Sequence, residues 1–107
     1  MPNDLARLAL IASSAALAAG CSAVVENRVE SALTQAGVPA APAACMAAIW
    51  AERLSVGQLQ GIQRFATGVR AEGRQLTLLG LIGHVRSWND PEAMLVVTTS
   101  AARCAFS

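Results

Sequence analysis

From residue 23 onward, apolar positions recur at helical rather than strand spacing. Val25, Val29, Ala32, Leu33 and Ala36 fall at i, i+4, i+7, i+8 and i+11, which is one face of a helix over about 23–35. Glu26, Arg28 and Glu30 take its other side, Gly37 is placed to end it, and Pro39 blocks continuation. A second apolar face, Cys45, Met46, Ile49, Trp50 and Leu54, predicts a helix opened by Pro42, with the Ala/Pro-rich stretch 39–44 as the connecting loop. Ser55 followed three residues on by Gln58 is a capping-box pattern. It predicts a third helix whose Val56, Leu59, Ile62, Ala66 and Val69 face inward. After a polar connection over 70–74, the almost wholly apolar run Leu76–Val85 predicts a short helix at the centre of the bundle. Asn89 or Asp90 caps a last helix that has Pro91 in its first turn and Glu92 at the positive end of its dipole. Met94, Val97, Ala101 and Cys104 share a face there, so Cys104 is expected to point into the core. The expected fold is all-α: a bundle of about five short helices forming one domain over 21–107.

The first twenty residues have a different pattern. An apolar run extends from Leu8 to Ala19, interrupted only by Ser13 and Ser14, with Arg7 before it and small residues after it. This reads as a secretory signal over 1–20, because the run is shorter than the roughly 20 residues a spanning helix needs. Leu17-Ala18-Ala19-Gly20-Cys21 resembles the lipobox of bacterial lipoprotein precursors. That resemblance implies a diacylglyceryl group on the Cys21 thiol, cleavage just before it, and an acylated amino terminus. The usual pattern has Leu three residues before the Cys; here Ala18 stands there, with Leu17 one place further back. Ala16-Leu17-Ala18 also fits an ordinary small-x-small cleavage site that would release a soluble protein, and the sequence leaves both open. The lipoprotein resemblance implies an envelope location facing the periplasm, and Ser22 after the Cys resembles outer-membrane sorting.

The three cysteines, Cys21, Cys45 and Cys104, bear on that choice, since an odd count in an exported chain leaves one thiol unexplained. If lipid consumes Cys21, Cys45 and Cys104 remain to pair, as an oxidising compartment would allow; the alternative is two buried free thiols in a cytosolic core. Such a bridge would close a loop of about 60 residues and add about 4 kcal/mol in the chain-entropy model.

Several phrases of the remaining chain occur together: Ala36-Gly37-Val38; Ala44-Cys45-Met46-Ala47; Arg53-Leu54-Ser55-Val56-Gly57-Gln58-Leu59; His84-Val85-Arg86 shortly before Asp90-Pro91-Glu92; and Thr98-Thr99-Ser100-Ala101-Ala102-Arg103-Cys104. With these the chain resembles a group of small envelope proteins of alphaproteobacteria. The resemblance implies one compact domain and carries no activity, cofactor or functional residue.

Composition narrows the chemistry. The 107 residues are 54% hydrophobic with a net charge of +1, enough apolar material for a core and too little basic charge for a nucleic-acid footprint. All eight basic residues are Arg, which removes Schiff-base lysine chemistry and a Walker-type phosphate loop. A single His rules out a multi-histidine metal site within one chain, and neither a metal nor another cofactor is expected. His84 invites a general-base reading that would need an orienting carboxylate, Asp90 or Glu92, and a hydroxyl such as Ser87, Thr99 or Ser100. Its position near a helix C-terminus fits a structural role better. Glu26 and Glu30, one turn apart beside Arg28, read as a solvated face. Trp50 belongs to a core face, whereas Trp88, after a helix and before a turn, is the better surface candidate. Gly57, Gly61 and Gly68 follow no strand, which argues against a phosphate cradle; close helix approach and loose selection both fit them. The expectation is a lipid-anchored helical envelope protein with an interaction or structural role, its partners membrane lipid and an envelope protein. The alternative is a soluble periplasmic helical domain that binds a small apolar ligand or a partner helix.

Overall fold

A computed structural model describes residues 23–107; the expected signal over 1–20 and the expected lipid site Cys21 lie outside the described residues. Five helices and no strand make up the described chain: α1 (23–35), α2 (Ala40–Arg53), α3 (Val56–Ala71), α4 (Leu78–Ser87) and α5 (Pro91–Cys104). The fold is therefore the expected all-α bundle.

Local chemistry sets most helix ends. α1 stops where Gly37 takes a φ of 91°, a left-handed conformation that glycine adopts without a Cβ clash. The Gly37 amide then donates to the Thr34 carbonyl and the Val38 amide to the Leu33 carbonyl. α3 opens with the full capping box. The Ser55 hydroxyl accepts from the Gln58 amide at 3.1 Å, and the Gln58 side-chain oxygen accepts from the Ser55 amide at 2.8 Å. Thr77 caps α4 through the Gly80 amide. Of the two candidates for the α5 cap, Asp90 does it, accepting from the Ala93 amide at 3.1 Å, while Asn89 makes the preceding turn with φ 53°.

Three expectations need correction, and the structure resolves a fourth point that the sequence leaves open. The Pro39–Ala44 stretch is not a loop, because α2 begins at Ala40 and Pro42 sits inside its first turn. Amides there have no intrahelical acceptor, so proline removes no bond. The apolar helix runs Leu78–Ser87 and is not central: only Leu81 and Val85 are buried, and Leu79 is 81% exposed. Leu76 reaches the core from the connecting segment instead. Val56, expected to face inward, is 70% exposed because the first residue after the cap lies at the rim of the bundle. Of the three α3 glycines, only Gly61 makes a close approach. A Cβ there would stand 2.9 Å from the Trp88 ring, whereas one at Gly68 would meet nothing and one at Gly57 only the Ser55 hydroxyl at 3.9 Å.

The packing centre is the α2–α5 pair. Ala43, Met46, Ala47 and Trp50 of α2 are buried, as are Ala93, Val96, Val97, Ser100 and Cys104 of α5. Cys45 and Cys104 form a disulfide, with Cα atoms 5.7 Å apart. Further along, the Trp50 indole N–H donates to the Ser100 hydroxyl at 2.7 Å, which places α2 and α5 antiparallel. Ser100 in turn donates to the Val97 carbonyl, so the buried polar pair is fully satisfied. α3 and α4 are also antiparallel, with Gly61 under Trp88 and Phe65 against His84. α1 buries Val29, Ala32 and Leu33 and runs alongside α3 in the same direction. Val25 and Val29 share a groove with Val56 and Leu59, and at the other end Arg70 donates to Gln35.

Candidate functional site

Two features could carry function: the aromatic cluster around His84 and the apolar clefts between helices. His84 lies on α4 one turn before its end, half-buried, with its ring stacked on Phe65 of α3. The ring centroids are 4.3 Å apart at an interplanar angle of 10°. The indole of Trp88 meets the imidazole edge-on at 5.5 Å, and the same indole covers Gly61. Trp88 is thus half-buried in a helix–helix contact rather than the free surface aromatic that its turn position suggested.

Of the groups that a general base would need, Asp90, Ser87, Thr99 and Ser100 are engaged elsewhere. Asp90 accepts from the Ala93 amide and, at 2.6 Å, from the Gln58 side-chain amide. These two bonds hold its carboxyl below the usual carboxylate range, the Ala93 amide contributing most. Ser87 donates to the His84 carbonyl, Thr99 to the Leu95 carbonyl, and Ser100 to the Val97 carbonyl. No hydrogen bond among the described residues joins the His84 ring to a carboxylate or hydroxyl. The structure brings His84 together with Phe65 and Trp88 and does not assemble it with Asp90, Glu92, Ser87, Thr99 or Ser100 into a relay. Its physical role here is to fill the α3–α4 seam as an aromatic plate. Glu26 and Glu30 are half-buried beside an exposed Arg28, and the ion pair given by the structure is elsewhere, between exposed Arg74 and Glu72.

An apolar cleft of about 310 Å³ opens at the end of the bundle where α1 stops and α2 starts. Val38, Pro42, Met46, Leu78, Ala101 and Ala105 line it. Its size reaches the lower end of the small-ligand range. A second hollow, about 280 Å³, lies between α2 and α5, where Ile49, Leu95 and Val96 are flanked by Arg53 and Arg103. The α1–α3 groove is smaller, about 180 Å³. Among the described residues no group of three His, Cys, Asp or Glu side chains could hold a metal ion, and no helix is long and apolar enough to cross a membrane.

The sequence reading missed Phe65 as the stacking partner of His84, Ser100 as the partner of Trp50, and the Gln58–Asp90 bond. Each joins two helices, and periodicity along one helix carries no information on which neighbour meets it. Comparison with family models, with curated proteins and with solved structures gives no match to this chain.

Proposed function

We propose that this chain is a small lipid-anchored helical protein of the bacterial envelope, held by acyl chains on Cys21 and facing the periplasm, with an interaction or structural role rather than a catalytic one. The observation that carries this reading is the pairing of Cys45 with Cys104. It leaves no other cysteine of the chain for Cys21, at the end of the lipobox-like segment, to pair with, which supports its use in lipid attachment. The disulfide also suits an oxidising compartment. Multiple acyl chains would supply the firm anchoring that a single chain does not.

The test is the intact mass of the protein purified from its native membrane fraction without reductant. The expected mass is that of residues 21–107 plus acyl groups, less two hydrogens for the disulfide. Cys21→Ser should move the protein to the soluble fraction. A mass starting at Ala19 without lipid refutes the anchor. A second reading, a soluble periplasmic domain that takes a small apolar ligand, draws support from the 310 Å³ cleft beside Met46 and Leu78. That unlipidated mass is the result that would select it.

A further inference from the structure

Two valines mark one end of the bundle. Val24 and Val56 are 52% and 70% exposed. Both lie at the same end of the bundle, since Val25, next in chain to Val24, lines a groove with Val56. Each leaves apolar surface in water that burial would stabilise, so this end of the bundle presents apolar surface that a contacting layer would take out of water. This is also the end at which the described chain begins. Whatever the conformation of residues 21–22, Cys21 lies three residues before Val24, a reach of at most about 11 Å.

We propose that this end of the bundle is a bilayer-contacting face, with Val24 and Val56 set into the headgroup–acyl boundary of the membrane. The inference rests on the lipid-anchor reading above and adds an orientation to it. The tether is too short for the domain to tumble freely over the surface. The helix α3 measures about 24 Å from Val56 to its far end, several times the roughly 5–8 Å of one headgroup layer. Only one end of the bundle can therefore be immersed, and the tether selects the one bearing Val24 and Val56. Of the other exposed large apolar side chains among the described residues, Leu79 and Phe106 lie at the opposite end, where the cleft lined by Leu78 and Ala105 adjoins the end of α1, and Leu95 lies on the side of the bundle in the α2–α5 hollow.

Charge does not drive this contact. Around the valine end stand Glu26, Glu52, Asp90 and Glu92 against Arg28, Arg53 and Arg86, so an anionic surface gains no net attraction there. The seating is apolar and shallow, and the exposed Arg28, which lines the groove with Val25, Val29 and Val56, is the cation there for lipid phosphates to meet. The orientation leaves the Leu79 and Phe106 end, with its apolar cleft, facing the periplasm.

The test is hydroxyl-radical footprinting of the full lipidated protein in vesicles of phosphatidylethanolamine and phosphatidylglycerol, read by peptide mass spectrometry. The Cys21→Ser protein free in buffer is the reference. Labelling at Val24 and Val56 should fall several-fold in vesicles, while Leu79 and Phe106 label equally in both states. The same pattern at low and high salt is expected of an apolar contact. Unchanged labelling of Val24 and Val56 in a protein whose mass carries acyl groups overturns the orientation alone. A protein without acyl groups that does not associate with vesicles overturns the anchor and the orientation together. Protection of both valines in buffer as well would mean that a second copy of the chain covers them, and would also overturn the assignment.

Discussion

Reducing the Cys45–Cys104 bond removes one covalent constraint and leaves every side chain in place. The bond links α2 to α5 across a sequence separation of 59 residues. In the chain-entropy model, closing a loop of that length costs the unfolded chain about 14 cal/mol/K, or about 4 kcal/mol at 25 °C. At about 0.05–0.15 kcal/mol per residue, the described domain has a total stability of roughly 4–13 kcal/mol, so reduction removes between a third and all of it. With a urea m-value of about 1.3 kcal/mol/M for a domain this small, the midpoint should fall by roughly 3 M. The thermal midpoint should drop by about 20 °C. The assay is urea unfolding followed by circular dichroism at 222 nm, with and without a phosphine reductant. Thiols are titrated in the unfolded, unreduced protein in parallel. Midpoints within about 0.5 M of each other, or more than one reactive thiol before reduction, would refute the reasoning. Cys104→Ala should cost more than reduction alone, because it adds a small cavity at a fully buried position.

Ser100→Ala should destabilise the domain by about 1–3 kcal/mol in urea unfolding, because it strands the Trp50 indole N–H in the core; adding Trp50→Phe should cost less than the sum of the two single changes. Gly61→Ala should lower the melting temperature, since its Cβ would press on the Trp88 ring at 2.9 Å, whereas Gly68→Ala, with open space around it, should raise stability by up to about 1 kcal/mol. Asp90 has a carboxyl held below its unfolded value, so its contribution is present at neutral pH and is lost as pH falls through that lowered value. Melting curves from pH 6 down to pH 2 should therefore show an acid-side decline that is shallower in Asp90→Asn, and identical declines in the two proteins would exclude Asp90 as a source.

What was readable in the sequence divides along physical lines. Caps and stops were legible because they are local chemistry: Ser55 with Gln58, Asp90 before Pro91, and Gly37 before Pro39 act within a few residues. The buried faces of α1 and α2 were legible because a helix with one wet side must alternate at its own period. Counting offered the Cys45–Cys104 pair only on the condition that Cys21 is used otherwise, because spacing along the chain does not bring two thiols within bonding distance. The failures are positions where neighbours decide. Pro42 lies within α2 because the first turn tolerates proline, a tolerance that does not fix which residue begins the turn. The leucines of α4 outnumber the places its partners offer, so Leu79 is left outside while Leu81 and Val85 go in. His84 drew attention as a lone imidazole, yet its surroundings, Phe65 on one side and Trp88 on the other, come from helix docking and have no local trace.

The disulfide divides the chain into two mechanically unequal parts. Everything from Cys45 to Cys104 lies inside one covalent loop, whereas α1 lies wholly outside it. A pull arriving from the side of residue 23 is therefore borne first by the packing of Val29, Ala32 and Leu33 and by the Gln35–Arg70 bond. α1 is a non-covalent strap between the start of the chain and a cross-linked body, so under load it yields before the body does.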